Sequence, residues 1–301
     1  MDRFSALATE LKRTLPGLEL REEEPMWGHT TFRVGGPARL MALPGSRKEA
    51  AAAVRAAAEE GIAPFFLGNG SNLLVSDAGY EGFVLKVSGL DRVWEANRRL
   101  RAESGISLAR LARAALGRGL TGLEFAHGIP GTLGGAVVMN AGAYGGELKD
   151  VVTEVTALYP DGVKVLTPAE LDFSYRHSVF SAGEGIVLGA KVKLESGDPD
   201  AIKAKMDDLM ARRKASQPLE LPSAGSTFKR PTGYYAGPLI EGCGLKGCRV
   251  GGAEVSSKHA GFVVNVGGAT CADVLALIEK VQKTVYDAHG VMLEPEVKII
   301  R

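Results

Sequence analysis

The segment GLEFAHGIPGTLGGAVVMNAGAYGGE, residues 122–147, is the densest run of glycine and alanine in the chain. Between Thr132 and Gly146 its only larger polar side chains are Asn140 and Tyr144. Residues this small leave backbone N–H groups open to a ligand, although they also serve tight packing and positive φ. A second stretch, LGNGSNLLVSD (67–77), repeats the pattern. A hairpin needs only two loop residues, yet here Gly68-Asn69-Gly70-Ser71-Asn72 separate two apolar runs. Successive N–H groups form the concavity that a phosphate asks for, while an Asx-turn would make the same residues an ordinary tight loop. Two such segments in one chain weaken the purely structural account, because together they can line a long ligand, one at a pyrophosphate and one along a ring. Neither is a familiar nucleotide motif. GNGSN lacks the following Lys-Ser/Thr of a P-loop, and GIPGTLGG is not the G-x-G-x-x-G fingerprint. The residues alone point to a pyrophosphate-containing cofactor held by backbone on a non-Rossmann fold.

Outside these loops the chain has globular composition. It has 301 residues, 45% hydrophobic and 24% charged, a length that suggests two or three domains. A net charge of +1 gives no basic field for nucleic acid or an anionic membrane. Its apolar runs fall far short of the ~20 residues of a membrane helix. MDRFSALATELKRTL carries Asp2 and Glu10 and does not read as a signal peptide. Cys243, Cys248 and Cys271 are odd in number and scattered, which fits a reducing, cytoplasmic setting. A structural zinc site wants four ligands at tighter spacing, so these thiols read as small hydrophobes and no metal is expected. Abundant glycine with scarce Asn and Gln fits a thermophile or a GC-rich genome.

Periodicity and caps predict helices over 3–14, 47–60 (closed by Gly61), 107–119 (capped by Ser107), 198–216, near GPLIEGCG, and from Cys271 to a stop at Gly290, where Thr270 and Asp273 make a near capping box. TTFRVGGPARLMALP (30–44) reads as strand, turn and strand. PFFLG, LLVS, FVLKVS, GIVLGAKVKLES, RVGGAEVS, GFVVNVG and VMLEPEVKIIR read as strands, RVWEA and RRLRAESG as an antiparallel pair, and Asp161-Gly162 as a two-residue hairpin turn. SQPLELPSAG is the clearest boundary. The expected organisation is α+β, with segments 1–90 and 91–215 as two α/β subdomains and 216–301 as a smaller αβ domain.

Four further stretches bring chemistry. SYRHS (174–178) places a phenol, a guanidinium and an imidazole together, and Arg176 beside Tyr175 suits a bidentate grip on a carboxylate. AGSTFKRP (224–231) sets Ser226 in a small-residue turn ahead of Lys229 and Arg230. LEPEV puts Glu294 and Glu296 on one face if it is a strand. Lys258 and His259 precede the apolar GFVVN as polar candidates for a ligand contact. Solvated or capping roles would account for each of these alone.

In this order, HTTFRVGGPA, LGNGSNLLVSD, GIPGTLGGAVVMNAGAYGGE, YRHS, AGSTFK, VSSKHAGFVVN and LEPEVKII resemble the UDP-N-acetylenolpyruvoylglucosamine reductase (MurB) family over nearly the whole chain. The resemblance implies a vanillyl-alcohol-oxidase-like (PCMH-type) FAD-binding fold with a substrate domain. It implies non-covalent FAD and NADPH as reductant, and reduction of the enolpyruvyl ether of UDP-GlcNAc to UDP-N-acetylmuramate for peptidoglycan. It makes Gly68, Asn69, Gly70, Ser71 and Asn72 one cofactor loop. Ile129, Pro130, Gly131, Thr132, Gly134, Gly135, Ala136, Asn140, Ala141, Gly142 and Gly145 form the other. Arg176 is similar to the arginine that polarises the substrate carboxylate, Ser226 to the proton donor and Glu296 to the catalytic glutamate. Tyr175, Lys229, Lys258 and His259 stand as substrate contacts. Arg230 occupies a position where the family commonly has Asn, and the length matches the shorter, type II class. An FAD oxidase or dehydrogenase of the same fold, and a non-catalytic nucleotide-binding module, share parts of this pattern. Uptake of FAD separates the second, and a substrate test with NADPH the first.

Overall fold

The structure, a computed structural model, describes residues 2–96, 99–183 and 185–301. Arg98, with which the expected strand RRLRAESG begins, lies outside them. The chain divides into two compact units. One comprises Met1–Glu22, Leu40–Asn69 and Gly82–Arg213; the other comprises Glu23–Arg39, Gly70–Glu81 and Lys214–Arg301. The chain therefore changes unit several times, including between Asn69 and Gly70 inside the first glycine loop.

The first unit holds two hydrophobic cores. One is built by α1 (Arg3–Thr14) and α2 (Arg47–Glu59) with those parts, within this unit, of a four-stranded sheet ordered Glu19–Pro25, Pro37–Leu43, Tyr80–Lys86, Phe65–Leu67. The Asp2 carboxylate caps α1, accepting from the N–H groups of Phe4 and Ser5. Ala50, Ala53 and Ala57 recur at helical spacing on the buried face of α2, in one core with Leu7, Leu11, Phe83 and Leu85. Gly61, at φ +66, ends α2 as expected.

The second core lies beneath a five-stranded antiparallel sheet ordered Gly162–Leu166, Val152–Tyr159, Ile186–Lys193, Arg99–Glu103, Val93–Ala96. It is filled by α3 (Leu108–Leu116) and α4 (Leu133–Val138), capped by Ser107 and Thr132. The hairpin turn is shifted by one residue from the expected Asp161-Gly162. Tyr159 pairs with Gly162, so Pro160 and Asp161 make the turn, and Gly162 at φ +129 enters the next strand. Proline's fixed φ suits the first turn position, which explains the shift. The long helix α5 (Pro199–Ser216) buries Ile202 and Met206.

The second unit packs α6 (Ala236–Gly242) and α7 (Cys271–His289) with a three-stranded antiparallel sheet, Arg249–Val250, Ala253–Val255 and Val263–Asn265. The Thr270–Asp273 capping box is fully formed, and Gly290 ends α7 at φ +67. Residues 30–36 are not the expected strand. Phe32 and Val34 are core residues here, but Arg33 at φ +55 and Gly35 at φ +128 break any pleat. Only Lys298–Ile300 of the expected final strand is regular, because Pro295 has no N–H to give a ladder; it runs parallel to Leu73–Val75. Cys271 is buried in this core, and desolvation pushes its thiol up to about 11; Cys243 and Cys248 pack against the same core. Among the described residues no helix is long and apolar enough to cross a membrane.

Asp77 anchors the excursion 70–81 within this unit. Its carboxylate accepts from the N–H of Cys271 at 2.7 Å and of Ala272 at 3.0 Å, at the positive end of α7. Asp77→Ala is expected to lower stability by about 1–2 kcal/mol, since two helix-terminal donors lose a charged acceptor. Urea denaturation of the two proteins measures this; an unchanged midpoint would mean that water replaces the carboxylate at no loss.

Candidate functional site

In the first unit the two glycine segments meet. The side-chain amide of Asn69 donates to the Pro130 carbonyl at 2.8 Å. A Cβ on Gly68 would strike the Thr132 hydroxyl, so the loops approach as closely as glycine permits. Thr132 caps α4 through Gly135 N–H. Gly135 is exposed, and a Cβ there would meet only Thr132 Oγ1, at 3.7 Å. Asn69, Pro130 and Gly145 are exposed, and Gly68, Ile129, Gly131, Ala141 and Gly142 are half-buried. The N–H groups of Asn69 and Gly131 donate to no acceptor among the described residues. This is the backbone cradle that a phosphate-bearing cofactor needs, and the residues fit one.

Not every expected cofactor residue faces outward. Thr132, Gly134, Ala136, Asn140 and Gly70 are buried. In this structure they hold the loops in shape, Thr132 through the cap of α4 and Asn140 through its side-chain bonds. At Gly70, with φ +61, a Cβ would run into the His29 carbonyl. Substitution there strains the fold and says nothing clean about a ligand.

Arg176 sits in a two-residue turn whose flanking residues exchange backbone hydrogen bonds, Ser174 N–H to His177 O and the reverse, both 3.2 Å. Its φ is +56, where glycine or asparagine is usual. The guanidinium lies 5.0 Å from the centre of the exposed Tyr175 ring. The imidazole of His177 meets Asp172 at 3.1 Å. Behind the turn, the Ser178 hydroxyl donates to the Val138 carbonyl at 2.8 Å, tying the segment to the end of α4.

In the second unit Ser226 and Glu296 come from neighbouring backbone segments. Glu296 N–H donates to the Thr227 carbonyl at 2.7 Å and Lys229 N–H to the Glu294 carbonyl at 2.8 Å, around a bridge of Phe228 and Pro295. On the other side Thr227 N–H donates to the Gly261 carbonyl at 2.8 Å, and the buried Thr227 hydroxyl accepts from Val263 N–H at 2.9 Å. Ser226 and Glu296 are both half-buried. Asn72, half-buried, ties in here too: its amide donates to the Glu296 carbonyl at 3.0 Å. Ser71 is half-buried beside it. Sequence patterning missed Thr227 and Asn72 as organisers of this site, because both act through bonds to residues far along the chain.

Three expected substrate contacts have other partners. The Lys258 ammonium donates to the Lys214 carbonyl at 2.7 Å and lies 3.8 Å from the Glu220 carboxylate. Lys229 pairs with Glu294 at 3.0 Å. Glu294 is exposed and Glu296 half-buried, so they do not act as an equivalent pair. His259 Nδ1 accepts from Gly261 N–H at 3.1 Å, which places its proton on Nε2 and makes the ring an organiser of the turn behind Ser226. Its ring edge meets Phe262, 5.0 Å between centres.

Two family models match the chain: "FAD binding domain" over residues 38–167 and "UDP-N-acetylenolpyruvoylglucosamine reductase, C-terminal domain" over residues 217–300. The chain is 52% identical to the UDP-N-acetylenolpyruvoylglucosamine reductase of Caldanaerobacter subterraneus subsp. tengcongensis over 295 residues, 98% of each chain. It is 49% identical to that of Geobacillus kaustophilus over 279 residues, 92% of each. Among solved structures it is similar to the UDP-N-acetylenolpyruvylglucosamine reductase (MurB) of Thermus caldophilus, with a TM-score of 0.81 and 36% identity, covering 94% of this chain and 99% of that one. Alkyldihydroxyacetonephosphate synthase, at 19% identity, a TM-score of 0.50 and coverage of 64% of this chain and 44% of that one, shares the fold alone. The fold is thus the expected α+β FAD-binding fold.

Burial holds the His259 imidazole below its ordinary value of 6.5. Its neutral form is therefore favoured by folding, and its contribution to stability is present above pH 6.5 and lost as pH falls through the lower folded value. The denaturation midpoint of the wild type is expected to fall as pH drops below 6.5. In His259→Phe it falls less steeply, with the remaining slope including His127, which is also lowered mainly by burial. Equal slopes in both proteins would show that His259 titrates as it does in the unfolded chain.

Proposed function

The chain belongs to the UDP-N-acetylenolpyruvoylglucosamine reductase family, and from that premise we propose the parts its residues play. The protein is an FAD-dependent oxidoreductase that reduces enolpyruvyl-UDP-N-acetylglucosamine with NADPH, giving UDP-N-acetylmuramate for peptidoglycan. The observation that carries the cofactor's place is the stitched pair of glycine loops, open at Gly68, Asn69, Gly131 and Gly135. Residues 217–300 hold the UDP-sugar. We place the reaction in the cytoplasm, where the free thiols Cys243, Cys248 and Cys271 stay reduced, and a net charge of +1 gives no reason for a nucleic-acid or membrane partner.

Bound FAD supplies hydride, taken from NADPH, to the terminal carbon of the enolpyruvyl group. The side chains manage the charge and the proton that follow. Negative charge builds on the carbon beside the substrate carboxylate and spreads into it. We assign Arg176 to that carboxylate, where its planar fork matches both oxygens. Glu296 offers a hydrogen-bonding carboxyl group to the same centre, and the Ser226 hydroxyl delivers the proton to carbon. Because Lys229 is engaged by Glu294, the basicity of the enolate drives proton transfer from serine. Tyr175 is placed to shield the arginine from water.

Gly135→Val tests the cradle. Its Cβ makes only an ordinary van der Waals contact with Thr132, so the fold is kept while backbone approach to a phosphate is blocked. The purified variant is expected to be colourless with an undiminished melting temperature of the apoprotein; a yellow protein with full flavin content would remove Gly135 from the cofactor site.

Ser226→Ala separates the half-reactions. Flavin reduction by NADPH needs no proton at substrate carbon and continues at its normal rate. Transfer to the enolpyruvyl group slows by roughly 10²–10⁴, or about 3–5 kcal/mol of barrier. The Ser226 hydroxyl makes a long bond, 3.4 Å to the Phe228 carbonyl, so stability changes little. Stopped-flow absorbance follows both steps. Equal slowing of both would make Ser226 a flavin-site residue, and no slowing would move the donor role to Glu296.

A further inference from the structure

Asn140 is fully buried and sits at φ +40, so its place is determined by what its side chain holds. The amide nitrogen donates to the Ser174 carbonyl at 3.0 Å and to Glu147 Oε2 at 2.9 Å, and the amide oxygen accepts from Lys149 N–H at 3.0 Å. Three of its four hydrogen-bonding positions are thereby used inside one unit. Ser174 opens the turn that carries Tyr175 and Arg176. That turn holds an arginine at φ +56, a conformation unfavourable for a residue with a Cβ. Its own closure is only the pair of 3.2 Å backbone bonds between Ser174 and His177. Pinning the Ser174 carbonyl from behind is what Asn140 adds.

Glu147 is the second part. Its carboxylate meets the Lys149 ammonium at 2.8 Å and takes the Asn140 bond. It is held below the usual carboxylate range chiefly by Lys149, with Asn140 and the charge of Arg176 contributing, so it stays a charged acceptor for the Asn140 amide.

We infer that Asn140, itself held by Glu147, is a positioning residue for Arg176: the amide fixes the strained turn through Ser174 before substrate arrives. This rests on the assignment of Arg176 to the substrate carboxylate. It makes a residue expected among the cofactor contacts act instead on the substrate half of the reaction. A pre-oriented arginine is worth more than a mobile one, because the developing charge is met without reorganisation.

The experiment is a double-mutant cycle on the full FAD-loaded chain, with both half-reactions followed by stopped flow. Asn140→Ala is expected to slow oxidation of the reduced flavin by substrate about 10- to 100-fold, the scale of a misplaced group. Reduction by NADPH stays within about twofold of wild type, as does flavin content. In an Arg176→Ala background, adding Asn140→Ala costs less than about twofold, because its effect runs through the arginine. Glu147→Gln replaces the charged acceptor of Asn140 by a neutral one and so loosens the amide without deleting it. It is expected to slow the same step and to be equally silent without Arg176, and it decides the matter should Asn140→Ala fail to fold. Equal losses in both backgrounds, or a loss in the NADPH step, would overturn the inference alone. An undiminished oxidative half-reaction in Arg176→Ala itself would bring down the assignment of the arginine as well.

Discussion

The second unit depends on a reciprocal clamp between Asn72 and the last strand. The Asn72 amide donates to the Glu296 carbonyl at 3.0 Å, and Lys298 N–H donates back to the Asn72 carbonyl at 2.9 Å. From there Leu73–Val75 and Lys298–Ile300 run parallel, and Ser76 N–H reaches the Ile300 carbonyl at 2.8 Å. Parallel pairing cannot be closed by a local turn, so these long-range contacts set the register of the C-terminal segment. The consequences run outward. Glu296 N–H reaches Thr227, and Thr227 reaches Gly261 and Val263. The proposed proton donor and the proposed catalytic carboxylate thus hang on one continuous set of hydrogen bonds that begins in a loop early in the chain.

That arrangement shows where sequence patterning works and where it stops. Helices α1, α2, α3 and α7 fall where periodicity and caps put them, because each signal is local: Ser107 and Thr270 cap their helices, and Gly61 and Gly290 follow the helix ends in the left-handed region. The division of the chain is not local. Residues 23–39 and 70–81 belong with the C-terminal unit through Thr31 to Ser223, Asp77 to α7 and Asn72 to Glu296. Nothing in the composition of those stretches marks that membership. A reading by consecutive segments has no means of finding pairings that span some two hundred residues.

The candidate site divides the same way. Residue type was enough to single out Arg176 and Ser226, and glycine content to single out the loops. At Lys258 and His259 adjacency to an apolar strand suggests a ligand, and their partners within the chain are invisible to it. The structure gives Lys258 a carbonyl at the end of α5 and gives His259 the N–H of Gly261. It also adds a structural reason for the glycine at position 70. Gly70 is required because its own unit's His29 carbonyl leaves no room for a side chain, which in sequence looks the same as room left for a ligand.

Strain gives the last step. Among the described residues, four of the six non-glycine positions with positive φ are Asn140, Tyr144, Asp172 and Arg176, all within one short span of the first unit. Glycine would relieve each of them, and this chain uses glycine freely elsewhere. At Arg176 a glycine would give the turn its preferred residue and lose the guanidinium; at Asn140 it would lose the three bonds that hold the turn and Lys149 in place. Strained backbone persists only where surrounding contacts over-determine it. Here those contacts are the buried amide of Asn140, the Ser178 hydroxyl on the end of α4 and the Asp172–His177 pair. These contacts converge on the turn of Arg176, the guanidinium that we propose for the substrate carboxylate.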